Sequence, residues 1–271
     1  MKRKNAFTLV ELLVVISIIA LLLSILMPSL QKAREMGKRI VCLQNLKQMT
    51  LGWMLYAESN DDKLVNTATT DIRDLGGSPR QFGWRAGGTP TWVGWWTGGP
   101  TLPAGHDPVL WNDIEAREAA IKIGLLYPYC QILESYRCPT GRRGEVLTYA
   151  AVDPMNGTNY GTMFTRLTKI PRPSDRMVFV DEGMATNGTW SVFPPEWGLL
   201  QWWDPVPVRH GKGATFSFAD GHSEYWKWKD DRTLDYSLEY NSEWRYGFDH
   251  IQPDNPDLRR VQKAVWGKSA E

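Results

Sequence analysis

Several residue types and motifs that would carry chemistry are scarce or missing. The 271 residues include only four histidines, His106, His210, His222 and His250, and three cysteines, Cys42, Cys130 and Cys138. The cysteines lack zinc-ribbon spacing, and His210 with His222 has no further ligands at a zinc-site spacing. No Gly-x-Ser-x-Gly elbow, P-loop or His-Glu-x-x-His motif occurs, so these hydrolase, nucleotide-binding and metalloprotease classes have no footing. A hydrolase built on Asp181, His210 and Asp220 has equally little support, and no catalytic residue is assigned. Charge of one sign is also lacking. Lys plus Arg come to 31 and Asp plus Glu to 30. No basic field is available for a polyanion, which argues against nucleic-acid binding. Internal repeats are absent, and the apolar residues concentrate at one end.

What is abundant is tryptophan, 14 in all, with 24 glycines and 17 prolines, which point to turns and long loops rather than a helical body. The first thirty residues differ from the rest. Lys2, Arg3 and Lys4 form a basic cluster, and from Ala6 to Leu30 the only charge is Glu11. Leu12 to Leu30 is long enough to cross a lipid bilayer as a helix. The basic cluster predicts a cytoplasmic N-terminus and an exported body. A cleaved signal peptide, a plain signal anchor and a processed filament-type segment compete here. Glu11 separates them. A carboxylate within an apolar helix costs roughly 2.5–3.5 kcal/mol on insertion and needs a partner, which a signal-peptide core does not provide. A small-residue cleavage site after the apolar run is also missing.

The stretch Ala6-Phe7-Thr8-Leu9-Val10-Glu11-Leu12-Leu13-Val14-Val15-Ile16 resembles the processing site of type IV prepilins and type II secretion pseudopilins. The resemblance implies a cut by prepilin peptidase between Ala6 and Phe7 and N-methylation of Phe7. It also implies a role for Glu11 in filament assembly, pairing with the free amino group of a sister subunit. Ala6 departs from the family pattern, which has glycine there. Pro28, late in the apolar run, is also pilin-like.

Beyond the membrane, Gln31 to Ser59 continues at helical spacing, with Met36, Ile40, Leu43, Leu46 or Lys47, Thr50 and Met54 as the expected apolar stripe. Asn60-Asp61-Asp62 reads as its stop. Leu64 to Asp107 reads as a long ordered loop region with a hairpin. Asp113 to Leu126 is expected as a helix and Met177 to Val180 as a buried strand ending at Asp181. Ala214 to Ala219 and Ser223 to Trp228 should form a hairpin around Asp220-Gly221. The expected fold is α+β, with a long N-terminal helix, transmembrane in its first half, packed on an antiparallel sheet. The expected divisions are a leader over 1–6, a transmembrane helix over 7–30 and an amphipathic continuation over 31–60. A periplasmic or extracellular body over 61–248 and a polar, loosely attached tail over 249–271 follow.

His210, nine residues, then Asp220-Gly221 resembles the C-terminal signature of a prepilin-related family of planctomycete-type bacteria. Cys42-Leu43-Gln44-Asn45-Leu46-Lys47-Gln48, Arg137-Cys138-Pro139 and Pro173-Ser174-Asp175-Arg176 fit the same family. A hairpin turn at Asp220-Gly221 explains part of that signature. Pseudopilins hold calcium through carboxylates, and Asp220, Asp181 and Glu182 offer hard oxygen donors for it. In an oxidising compartment one disulfide is open to the three cysteines. Cys130–Cys138 is nearest in sequence, and Cys42–Cys138 joins two of the family-like motifs. All three reduced and buried is the remaining reading. The tryptophans read either as core or as an exposed surface for sugars.

The function these features favour is a structural pilin or pseudopilin subunit, not an enzyme. Its partners would be prepilin peptidase, sister subunits, the pilus or secretion machinery and the lipid of the inner membrane. The alternative is a membrane-anchored polysaccharide-binding protein that uses its Trp-rich loops.

Overall fold

The computed structural model describes residues 9–67, 70–71, 91–95, 114–122, 124–141, 144–157, 161–182, 189–242 and 251–270. Its first element, helix α1, runs unbroken over Leu9–Ser59 with Pro28 inside it. At 1.5 Å per residue it is ~77 Å long. In its apolar half the hydroxyls of Ser17, Ser24 and Ser29 donate to the carbonyls of Leu13, Leu21 and Leu26. These polar groups are therefore satisfied within the helix, as a lipid environment requires. The helix stops where expected. Asp61 and Asp62 adopt positive φ of 56° and 65°, and the Asn60 amide donates to the Tyr56 carbonyl.

Two short strands follow, β1 (Thr70–Asp71) and β2 (Gly94–Trp95). They pair in parallel, so they are not the two arms of the expected hairpin. Helix α2 spans Ile114–Lys122, inside its expected range. Four strands build the main sheet: β3 (Tyr149–Ala151), β4 (Met177–Asp181), β5 (Gly213–Phe218) and β6 (Ser223–Lys227). Their order is β3-β4-β5-β6, antiparallel throughout. Helices α3 (Asp231–Ser242) and α4 (Pro256–Trp266) close the chain.

Register decides which side chains meet α1. Val180 pairs with Phe216 and Ala214 with Trp226 on one face, whereas Phe179 pairs with Ser217 and Thr215 with Tyr225 on the other. The second face meets α1. Thr50 Oγ1 lies 2.7 Å from Ser217 Oγ, Cys42 Sγ lies 3.0 Å from Thr215 Oγ1, and Ser223 Oγ donates to the Leu43 carbonyl. The α1 side chains buried there are Cys42, Leu46, Met49, Thr50, Trp53 and Ala57, a three-to-four residue repeat. The stripe is offset from the expected one. Met36 and Ile40 remain 51% and 65% exposed because the sheet covers α1 only from about Cys42 onward.

The polar tail expected over 249–271 is corrected by α4. Asn255 caps it, accepting from the Asp257 and Leu258 amides, with Pro256 in the first turn and Gly267 at φ 90° after the end. Leu258, Val261, Val265 and Trp266 are buried. Arg259, Arg260 and Lys263 on the other side make the segment look polar when read linearly.

Candidate functional site

Four side chains from four distant segments converge beneath α1. Cys42 comes from the first buried turn of the helix. Cys138 follows the 3-10 turn at Leu133–Tyr136, Asp181 ends β4, and His210 lies in the turn before β5. All four are buried, and their Sγ, Sγ, carboxylate and imidazole ligand atoms lie within 4.8 Å of one another. Cys138 Sγ is 3.1 Å from His210 Nε2, Cys42 Sγ is 3.4 Å from Asp181 Oδ2, and His210 Nε2 is 3.8 Å from Asp181 Oδ2.

A surrounding layer holds these groups in place. Glu35 Oε1 sits 2.9 Å from His210 Nδ1, so Nε2 is the nitrogen turned into the cluster. The Tyr149 hydroxyl donates to Cys42 Sγ, and the Thr140 amide donates to Cys138 Sγ. Arg209 donates to the Thr140 carbonyl and approaches Glu145. His210 itself has φ 56° and Gly211 φ 91°, a tight reversal that swings the imidazole under the helix.

The Cys138 thiol is pulled down to about 3, first by its hydrogen bond with Cys42, against burial, with His210 and Thr140 adding to the effect. Burial pushes the Asp181 carboxyl well above the usual carboxylate range, and negative charge on Cys138 adds to this. A cysteine sulfur, an imidazole and the Glu35 carboxylate in series have the order of a nucleophile, its base and an orienting group. Reactive cysteines, however, occupy partly exposed positions, and Cys138 is buried at the helix–sheet junction. The arrangement is that of a closed centre.

The three thiols are free. Cys42 and Cys138, one of the two pairs weighed from the sequence, face the same cluster without a bond between them. Cys130 is elsewhere, 3.2 Å from Ser135 Oγ. The calcium set is not brought together. Asp181 points into the thiol cluster, whereas Asp220 sits in the β5–β6 turn at the other end of the sheet, with its carboxylate on His222. Glu182 is adjacent in sequence to Asp181 but feels the charge of Asp204 instead. His210 and His222 flank opposite ends of β5, whose six residues span about 20 Å. The sequence signature is thus one strand with a buried histidine before it and a turn glycine, Gly221 at φ 93°, after it.

Of the candidate sugar-stacking tryptophans, Trp92, Trp190, Trp202, Trp226 and Trp228 are core residues, and Trp197 is 46% exposed. Trp84, Trp96 and the side chain of Trp95 lie outside the described residues, as do Ala6 and Phe7. Sequence reasoning missed Glu35, Thr140, Tyr149 and Thr215 as cluster neighbours, because none stands in a motif.

Residues 1–27 match the model of the prokaryotic N-terminal methylation motif. Neither the comparison with curated proteins nor that with solved structures gives a match. The motif opens an apolar helix whose far half packs on a four-stranded antiparallel sheet, and in both respects the chain is similar to type IV prepilins and pseudopilins.

Proposed function

We propose that the chain is a pilin-like structural subunit. Prepilin peptidase cuts it between Ala6 and Phe7 and methylates Phe7, and α1 then assembles with sister helices into a type IV pilus or a type II secretion pseudopilus. The observation that carries this reading is the division of α1. Its first half bears the methylation motif and is exposed, and one face of its second half, from Cys42 to Ala57, is core. Sixteen large apolar side chains between Leu9 and Leu30 are about half exposed or more. At 1.5–3 kcal/mol for full burial of each, leaving them in water forgoes on the order of 20 kcal/mol. Lipid before assembly and neighbouring helices after it supply that burial.

Lys2, Arg3 and Lys4 keep the leader, residues 1–6, on the cytoplasmic side of the inner membrane. The body beyond residue 30 lies in the periplasm or outside the cell. Within the filament Glu11 pairs with the amino group of a neighbouring Phe7, so a charge in an apolar setting meets its opposite. Met36 and Ile40, exposed above the membrane half, extend the helix–helix contact surface.

The test is mass spectrometry of the mature N-terminus of protein from native membranes. The expected species begins at N-methylated Phe7. A chain retaining Met1, or cut after the apolar run, overturns the proposal.

A further inference from the structure

We propose that Cys42, Cys138, Asp181 and His210 bind one Zn2+ ion as a closed structural centre that pins α1 to the sheet. The donor set is two sulfurs, one imidazole nitrogen and one carboxylate oxygen. Soft and borderline donors of this kind select zinc over calcium or magnesium. Zinc bonds of about 2.3 Å to sulfur and 2.0–2.2 Å to nitrogen and oxygen place tetrahedral ligands about 3.3–3.8 Å apart. The separations of 3.4 and 3.8 Å between cluster atoms fall within that range and the 3.1 Å between Cys138 Sγ and His210 Nε2 lies just below it, with all four atoms within 4.8 Å.

Three further features point to a bound cation. Asp181 Oδ1 is buried without a hydrogen-bond partner in the structure, an arrangement that costs free energy unless something satisfies it. His210 offers Nε2 inward while Glu35 holds Nδ1, the carboxylate–imidazole pairing that orients metal-bound histidines. The histidine also keeps a positive φ, a conformation that persists only where its surroundings require it. Four protein ligands leave no open position, so the centre is structural and not catalytic. On binding, both cysteines coordinate as thiolates and Asp181 as a carboxylate, and every proton these groups carry passes to solvent. Two thiolates and one carboxylate against Zn2+ leave a net charge of minus one, which Arg209 beside the cluster offsets. Cysteines held this way are unavailable for a disulfide, so the two states exclude each other.

The experiment uses the full chain, purified in detergent without chelator. Metal analysis should find about one zinc per chain. After removal of zinc under reducing conditions, Co2+ alone should produce the intense visible bands and near-ultraviolet sulfur-to-cobalt charge transfer of a tetrahedral thiolate site. Cys42→Ser, Cys138→Ser and His210→Ala should each lose that spectrum, and Cys130→Ser should keep it. Glu35→Gln should keep the spectrum and bind about 10–100-fold more weakly. Because a ligand variant can fail to fold, thiol alkylation of the unaltered chain gives a second readout. Zinc should protect two of the three cysteines, and a chelator should release them. A native chain lighter by two hydrogens, with Cys42 bonded to Cys138, overturns the proposal, as does a reduced, folded chain that gives no cobalt spectrum.

Discussion

Glu35 Oε1 lies 2.9 Å from His210 Nδ1 although 175 residues separate the two in the chain. Glu35 follows the end of the apolar run at Leu30 by little more than one helical turn. The first α1 residue buried by the body is Cys42, two turns further on. Among the described residues, this contact ties the body to α1 ahead of the first buried helix residue. The His210 ring is held at both nitrogens, by Glu35 at Nδ1 and by Cys138 at Nε2.

Replacing Glu11 with alanine should leave membrane insertion intact and abolish assembly. Removing one member of a buried ion pair costs about 3–5 kcal/mol, so recovery of sheared filaments should fall more than about a hundredfold. Immunoblots of the sheared and membrane fractions measure this. Unchanged filament recovery would remove Glu11 from the assembly mechanism.

Gly221 is needed for its backbone and not for lack of space. Its φ is 93°, and a β-carbon there would meet only Leu51 and Met54 at ordinary distances of 3.5 and 3.6 Å. Gly221→Ala should cost about 1 kcal/mol, and Gly221→Asn should cost less, because asparagine tolerates this region better. Chemical denaturation of both variants, followed by tryptophan fluorescence, tests the order. Equal losses would mean that side-chain volume matters instead.

The docking of α4 can be tested at Leu258, which is fully buried. Leu258→Ala should destabilise the body by about 2–5 kcal/mol, lowering the urea midpoint of the main transition. A loosely held tail would show no change in that midpoint.

Asp204 sets a pH dependence. Burial, with the charges of Glu182 and Asp153 next, raises its carboxyl well above the ordinary value. The protonated form is thus favoured in the fold. This stabilisation is fully present below about pH 4, the unfolded value, and is lost as pH rises through the elevated folded value. Asp204→Asn keeps an oxygen to accept from the Ser191 amide and removes the ionisation. Melting temperature between pH 5 and pH 8 should therefore fall more steeply in the unaltered chain than in the variant. Parallel slopes would show that Asp204 is not the titrating group.

Much of this protein is written in short-range patterns. The length of the apolar run, the Asn60-Asp61-Asp62 stop, the β4 segment and the hairpin around Asp220-Gly221 depend on residues within a few positions of one another. Helix periodicity, strand alternation and turn chemistry act over that range, and each of these elements was legible in the sequence. Helix α4 was also written there, in Asn255-Pro256, a repeat through Leu258, Val261 and Val265, and Gly267, but its charged outer face masked it. The amino-acid sequence also marked Cys42 with Cys138 as one candidate disulfide, Asp181 as an oxygen donor and His210 as part of a spaced signature. It could not show that they meet. Cys42 and Asp181 are 139 positions apart, and Cys138 and His210 are 72. Their convergence follows from the register of β4 against β5 and from the turn of α1 laid on that sheet. A one-residue slip in that register would turn Asp181 to the opposite face of the sheet. The local elements were determined by nearby residues, whereas the buried centre was decided by tertiary packing, because only packing brings distant side chains within a bond's reach.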